Sequence, residues 1–227
     1  MRKIFSFTGA KKIVFGSGAL AALAAHVREH HGQKPLVVID QNLAKTGLKE
    51  KISALLESDG IKFAFFDKVE PEPRIELADE GAALAVKNKC DIVIGIGGGS
   101  AMDVAKAIAV IATNKGEAAD YLGLNKVPKA GLPKIMIPTT AGTGSEVTFT
   151  AVFVRKNLKK KEGMNSPYLY PELALLDPEL TLSLPPAPTA QTGMDALCHA
   201  IESYTSIASS PMSEMFSLEA ISLIAEN

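Results

Sequence analysis

The sequence predicts an α/β fold, in which a doubly wound and mostly parallel sheet is followed by the start of an all-helical domain. Short apolar segments and helical segments alternate through residues 1–140, which is typical of a parallel sheet covered by helices. A glycine-rich turn connects one of these strands to the next helix. After a proline cluster at 185–188, the remaining segments show helical periodicity only.

The first elements are a predicted hairpin over residues 4–7 and 12–15 and an alanine-rich helix over 19–28. Apolar strands bounded by turn residues then alternate with helices, whose apolar residues recur every three or four positions. The strands are predicted at 36–39, 62–66, 91–96 and 134–137, and the helices at 48–58, 75–89 and 101–113. Crossovers between parallel strands are right-handed, so these units predict an open, Rossmann-like sheet.

The pattern changes after residue 139. The predicted elements here are a β-rich stretch at 147–154, a strand at 173–176 and helices at 189–204 and 213–224. We expect a domain boundary near Leu182, with a nucleotide-binding domain over 1–182 and the beginning of a helical domain over 183–227. The second part is too short for a core of its own, so we expect it to be incomplete.

Composition excludes several classes of protein. The 227 residues are 47% hydrophobic and 22% charged, near the averages of folded chains, so wholesale disorder is excluded. The formal net charge of −1 provides no basic field for a nucleic acid. No run of about 20 apolar residues is present, so we expect no membrane partner. Two widely separated cysteines, Cys90 and Cys198, favour a reducing, cytoplasmic location over a disulfide scaffold.

The sharpest motif is the glycine-rich turn Gly95-Ile96-Gly97-Gly98-Gly99-Ser100, which follows a predicted strand and leads into a predicted helix. Glycines at such a turn let the backbone approach a phosphate, and the N–H groups of the helix start can donate to it. The turn therefore predicts a pyrophosphate site. The alternative is a tight turn with Ser100 as a plain helix cap.

Asp40 follows the predicted strand at 36–39, at the edge of the sheet where open α/β folds bind ligands. A carboxylate there can accept hydrogen bonds from ribose hydroxyls and would repel a 2′-phosphate, which favours NAD over NADP. A turn or cap residue before the next segment is the alternative.

A second loop follows the strand at 134–137 and concentrates four hydroxyl side chains around two glycines. Its candidate binding residues are Thr139, Thr140, Thr143 and Ser145. Hydroxyl and main-chain groups in such a loop can surround a polar ligand at the edge of the sheet. A solvated linker is the alternative, because Ser, Thr and Gly dominate ordinary loops.

Asp195 and His199 are four residues apart in a predicted helix, which puts both on one face. A carboxylate and an imidazole together suit a divalent ion such as Fe²⁺ or Zn²⁺. A surface hydrogen bond or ion pair is the alternative. We expect neighbouring Cys198 to point elsewhere and to be a small buried residue.

Four segments occur in a fixed order: GGGSAMDVAK at 97–106, PTTAGTGSE at 138–146, DPELT at 177–181 and GMDALCHAIE at 193–202. In this order they resemble the iron-containing, group III alcohol dehydrogenase family over essentially the whole chain. The resemblance implies a nucleotide-binding α/β domain followed by an all-helical, metal-binding domain, with the active site in the cleft between them.

The resemblance also implies roles for individual residues. Asp40 would hold the adenosine ribose, and the pyrophosphate would be bound by Gly97, Gly98 and Ser100, with Asp103 beside them. The rest of the cofactor site would be lined by Thr139, Thr140, Thr143, Ser145 and Lys161. Glu72 stands between two prolines where the family usually carries an asparagine.

Asp195 and His199 match the family's first two metal ligands, for Fe²⁺ or Zn²⁺. The family's other two ligands are histidines further along, and no histidine follows His199 in this chain. Family members are also considerably longer, so we expect a chain truncated within the metal-binding domain. The apolar helical surface left uncovered would favour self-association, and we expect a homo-oligomer.

The activity implied is hydride transfer between NAD(H) and a small primary alcohol or aldehyde, with the metal acting as a Lewis acid in the complete enzyme. Two alternatives remain open at this point. One is a non-catalytic fragment that binds NAD; the other is an enzyme like glycerol dehydrogenase or dehydroquinate synthase.

Overall fold

The computed structural model describes residues 4–227. Within them the strands are β1 Ile13–Phe15, β2 Pro35–Asp40, β3 Ala64–Val69, β4 Ile92–Gly97, β5 Gly123–Leu124, β6 Lys134–Pro138, β7 Thr150–Arg155, β8 Lys160–Asn165 and β9 Leu173–Leu176. The α-helices are α1 Leu23–Glu29, α2 Leu48–Ser58, α3 Glu76–Asn88, α4 Gly99–Ile111, α5 Pro186–Thr205 and α6 Pro211–Glu226. Short 3-10 turns connect several of these elements.

Six strands form one sheet in the order β1-β9-β6-β4-β2-β3, and every neighbouring pair is parallel. This confirms the predicted doubly wound, Rossmann-like sheet. The chain runs outward from β2 to β3 and then crosses back to β4 on the other side of β2. The crevice of an open α/β sheet lies at such a change of direction, which here falls between the carboxyl ends of β2 and β4.

Helices cover both faces of the central strands, and alternate residues of each strand point to opposite faces. In β2, Leu36 and Val38 belong to a core shared with α3 and α4, whereas Val37 and Ile39 belong to a core shared with α1 and α2. The strand is therefore apolar at nearly every position, and the same holds for β4 beside it and for β6 on the far side of β4.

A smaller sheet of three strands, β5-β8-β7, lies beside α4. Its β7 and β8 form an antiparallel hairpin. Ala151, Phe153 and Met164 from this sheet enter the same core as α4. The predicted β-rich stretch at 147–154 is shifted, because Ser145–Val147 forms a 3-10 turn and the strand begins at Thr150. This sheet forms one wall of the cleft described below.

The predicted hairpin at 4–7 and 12–15 is wrong. Residues 4–10 form no strand, and β1 pairs in parallel with β9 near the other end of the chain. Alternating polarity indicates a strand without indicating its partner, and the partner here is about 160 positions away. The strand predicted at 62–66 lies at Ala64–Val69.

Two helices end the chain and pack on each other. The first, α5, begins at Pro186 and not at residue 189, because proline at the first helical position needs no hydrogen-bond partner for its nitrogen. The second, α6, begins at Pro211 after a Ser210 cap, whose hydroxyl accepts from Ser213 N at 3.2 Å. Among the helices of residues 4–227, none is long and apolar enough to cross a membrane.

Candidate cofactor and metal site

The glycine-rich turn joins β4 directly to α4 at the crevice of the sheet. Gly97 has a φ of +143°, which side chains rarely adopt, and a Cβ there would lie 2.9 Å from Ala101 Cβ. Gly98 is extended and precedes the first helical residue, Gly99. Ser100 lies inside the helix and is not its cap, so the turn presents backbone N–H groups at a helix start.

Asp40 lies beside this turn, at the end of β2. Its Oδ1 accepts hydrogen bonds from the N–H groups of Asn42 and Leu43 at 3.0 and 2.9 Å. Its Oδ2 faces Gly97, 3.3 Å from the position that a Cβ would occupy there. The carboxylate therefore caps its own turn with one oxygen and reaches the glycine-rich turn with the other.

The second loop packs against the glycine-rich turn and is not a solvated linker. Thr139 N donates to Gly97 O at 3.0 Å, and the Thr143 side chain lies 2.9 Å from the Cβ position of Gly99. The hydroxyl of Thr140 is buried 3.8 Å from the Cβ position of Gly98 and has no hydrogen-bond partner within residues 4–227. A buried hydroxyl without a partner is uncommon. An anionic group at the turn would supply the missing partner, so these residues fit the pyrophosphate of NAD.

Asp103 and Ser145 lie together because their side chains hydrogen-bond to each other. The Ser145 hydroxyl donates to Asp103 Oδ1 at 2.6 Å, and the N–H of Val152 donates to Asp103 Oδ2 at 2.9 Å. The ammonium of Lys106 also lies 3.1 Å from Asp103 Oδ1. Both carboxylate oxygens are thus used within the protein, and Asp103 ties the start of α4 to the smaller sheet.

Lys106, which the sequence analysis did not single out, lies beside these residues. It is fully buried, and this burial lowers the pKa of its ammonium, while the carboxylate of Asp103 opposes the change. The signal in the sequence that could have indicated this burial is the position of Lys106 in an apolar run, between Ala105 and Ala107. A helix that is apolar all round leaves a lysine no exposed face to occupy.

A cleft of about 890 Å³ lies between the start of α4, the second loop, the smaller sheet and the two last helices. The predicted site residues that line it are Ser100, Asp103, Thr143, Ser145, Lys161, Asp195 and His199. The remaining predicted residues lie outside this lining, at the carboxyl ends of β2, β4 and β6; they are Asp40, Gly97, Gly98, Thr139 and Thr140. One edge of the sheet and one face of α5 therefore meet across the cleft.

Lys161 lies at the mouth of the cleft and pairs with Glu72, Nζ to Oε1, at 2.8 Å. The hydrogen bond from Lys161 lowers the pKa of Glu72. Both side chains are more than half exposed, so the pair contributes little to stability. Glu72, the residue that departs from the family pattern, is therefore the present partner of the predicted cofactor lysine.

Asp195 and His199 share one face of α5, with 3.8 Å between Asp195 Oδ1 and His199 Nε2, and each side chain is about half exposed. Within residues 4–227, no group of three or more His, Cys, Asp or Glu side chains is arranged to hold a metal ion. The pair offers two suitable donors but not a complete coordination sphere. Cys198 is exposed, contrary to expectation, because α5 turns Ala196 and Ala200 towards the body of the chain.

The fold and the cleft define a class of protein: a Rossmann-like α/β unit whose candidate dinucleotide site lies beside a following helical region. A family model described as iron-containing alcohol dehydrogenase matches residues 10–178, and a model of the C-terminal part of the Fe-containing alcohol dehydrogenase family matches residues 189–227. The chain belongs to the iron-containing alcohol dehydrogenase family.

Two curated relatives illustrate the family. The long-chain-alcohol dehydrogenase 1 of Geobacillus thermodenitrificans is 43% identical over 215 residues, covering 93% of this chain and 54% of the relative. The sulfoacetaldehyde reductase of Bilophila wadsworthia is 40% identical over 217 residues, covering 96% of this chain and 56% of the relative. The chain thus spans about half the length of the curated relatives it matches.

Solved structures agree with the fold. The chain is similar to a 1,3-propanediol oxidoreductase with a TM-score of 0.95 and 36% identity, covering 99% of this chain and 59% of that one. It is also similar to the sulfoacetaldehyde reductase from Bifidobacterium kashiwanohense, solved in complex with NAD⁺, with a TM-score of 0.90 and 35% identity, covering 98% and 59% of the two chains.

Proposed function

We propose that the chain provides the NAD(H)-binding half, and two metal ligands, of an oxidoreductase that transfers a hydride between NAD(H) and a small primary alcohol or aldehyde. One observation carries the proposal. The cleft that the second loop and the start of α4 line is also lined by Asp195 and His199 on α5. Residues of the proposed dinucleotide site and the two proposed metal donors thus line one cleft.

The cofactor is NAD(H), which supplies the hydride acceptor or donor when bound. Asp40 holds the ribose hydroxyls of the adenosine with its Oδ2, and its negative charge disfavours a 2′-phosphate. The N–H groups of Gly98 to Ser100 and the hydroxyl of Thr140 bind the pyrophosphate. Thr143 and Lys161 line the remainder of the cofactor site, and Gly97 and Thr139 shape the turns that carry these groups.

Asp195 and His199 are proposed as two ligands of a divalent ion, Fe²⁺ or Zn²⁺. Within residues 4–227 these two side chains provide part of a coordination sphere only. The alcohol or aldehyde class is supported by the relatives, whose names refer to long-chain alcohols and sulfoacetaldehyde. We also propose the division into residues 1–182, which bind nucleotide, and 183–227, which carry the metal donors. The homo-oligomer stays a prediction.

A second candidate is an NAD-binding unit that turns nothing over. The incomplete set of metal donors within residues 4–227 favours it. It differs from the first proposal only in catalysis, because both require the same cofactor site.

The test combines binding and turnover on the 227-residue chain. NADH binding is measured by titration, and NADH consumption is then followed with a short aldehyde, with and without added Fe²⁺ or Zn²⁺. Consumption that depends on metal and is lost in His199→Ala supports the oxidoreductase. Binding without consumption supports the second candidate, and absence of NADH binding refutes both.

A further inference from the structure

Lys106 is a charged side chain that is completely removed from water, in the middle of α4. Burying an ammonium group is costly unless it is paired and its hydrogen bonds are satisfied. An apolar residue would fill this position in a helix core at lower cost. The contacts of the ammonium group therefore indicate what the lysine does in this position.

Its ammonium group binds a single neighbouring segment. Nζ donates to Ser145 O at 3.0 Å, to Thr148 Oγ1 at 3.2 Å and to Thr150 O, and it forms the ion pair with Asp103 on its own helix. Apart from Asp103, every one of these acceptors lies between residues 145 and 150. The hydrogen-bonding capacity of the ammonium is thus used inside the protein, and Lys106 is not among the residues that line the cleft.

The same segment forms the wall of the proposed cofactor site. Ser145, Thr148 and Thr150 all line the cleft, and Ser145 also donates its hydroxyl to Asp103. Lys106 and Asp103 together therefore clamp this wall to α4. The glycine-rich turn leads directly into this helix.

We propose that Lys106 is a positioning residue for the cofactor. It holds the segment 145–150 by its own hydrogen bonds and by its ion pair with Asp103, at the separation from α4 that NAD(H) needs, and it touches neither cofactor nor substrate. This inference rests on the proposed function, because it assigns Lys106 to the same site.

The test compares two buried lysines. Lys134 is 2% exposed, pairs with Glu172 at 3.5 Å and stands at the opposite end of β6 from Thr139, away from the cleft. Lys106→Met and Lys134→Met both replace an ammonium by an apolar group of similar length, so both are expected to lower stability in urea. Only Lys106→Met is expected to weaken NADH binding, by about tenfold, because the segment 145–150 then loses the hydrogen bonds that hold it beside α4.

A double-mutant cycle separates positioning from general loosening of the fold. In a Ser145→Ala background the effect of Lys106→Met on the NADH dissociation constant should shrink to about threefold or less, because the Ser145 hydroxyl and the Lys106 ammonium both bind Asp103 Oδ1. In an Asp40→Asn background it should persist in full. Equal effects in both backgrounds, or equal weakening by Lys134→Met, would overturn the proposal.

Folding controls keep the result decisive. If Lys106→Met does not fold, Lys106→Gln, which keeps a donor at this position, takes its place in the cycle. If neither variant folds while Lys134→Met does, Lys106 is a requirement for folding and the positioning role is refuted. Failure of the wild-type chain to bind NADH refutes the proposed function itself, whereas failure of the positioning role shows only in the comparison among variants.

Discussion

Replacing Gly98 by alanine separates the fold of the glycine-rich turn from its ability to hold a phosphate. Gly98 has a φ of −76°, which alanine accepts without strain. A Cβ there would lie 3.6 Å from the side chain of Thr140, an ordinary van der Waals contact. Alanine reduces the conformational freedom of the unfolded chain, which stabilises the fold, but it is a poorer helix cap than glycine, which destabilises it. The two effects roughly offset each other, so the free energy of unfolding should change by less than about 1 kcal/mol.

Binding should respond much more strongly. The new methyl group stands next to the unpaired hydroxyl of Thr140, where we place the pyrophosphate, and it prevents close approach of the backbone. Loss of one hydrogen bond to a charged oxygen costs about 2 kcal/mol, which corresponds to about 30-fold weaker binding of NADH. Titration of NADH with the wild-type chain and with Gly98→Ala measures this ratio, and urea unfolding checks the fold.

Gly16→Ala is the matched control, because a Cβ at Gly16 meets nothing within 4 Å and the residue is remote from the cleft. It should leave NADH binding unchanged. A folded Gly98→Ala variant that binds NADH within about twofold of the wild type would show that the phosphate does not lie at this turn.

Three further changes test other parts of the structure. Asp177→Ala should lower the free energy of unfolding by about 3 kcal/mol in urea, because this buried carboxylate accepts from three backbone N–H groups; a loss below about 1 kcal/mol would contradict this. Asp40→Asn should narrow the preference for NADH over NADPH by about tenfold, and an unchanged ratio of dissociation constants would argue against the ribose contact. Burial raises the pKa of Glu146, so the native state holds that proton more tightly than the unfolded state, and stability falls as pH rises from 4.5 through the native pKa. Glu146→Gln should therefore have a higher free energy of unfolding than the wild type at neutral pH and should lose this gain below pH 4.5. A lower free energy of unfolding at neutral pH would contradict the reasoning.

Much of the fold was predictable because periodicity reports burial directly. Strand β2 is apolar on both faces, and the sheet is covered on both faces, so the run at 36–39 indicated a central parallel strand. Pairing was not predictable in the same way. Strand β1 is short and half exposed, and nothing in its residues identifies β9 as its neighbour.

The candidate site was predictable where chemistry follows a strand end. Parallel strands end at the same edge, so Asp40, the glycine-rich turn and the second loop had to lie close together. The clamp formed by Lys106 and Asp103 was not predictable, because Lys106 binds Ser145 across 39 positions of the chain. Asp103, read as a neighbour of the cofactor, has its oxygens occupied by that clamp, which only the packing of α4 on the smaller sheet reveals.

Asp40 illustrates a position where the turn-residue interpretation is confirmed and the ribose contact stays a prediction. One carboxylate oxygen caps the following turn, as the alternative required, and the other reaches Gly97 at the crevice. A sequence cannot divide two oxygens between two roles, since the division depends on the rotamer that the surrounding backbone allows.

The most direct test of the account is a calorimetric titration of NADH into the wild-type chain, repeated with NADPH. We expect saturable binding of one NADH per chain and weaker binding of NADPH, because Asp40 faces the glycine-rich turn. Absence of saturable NADH binding to a folded chain, or tighter binding of NADPH, would contradict the placement of the cofactor at this edge of the sheet.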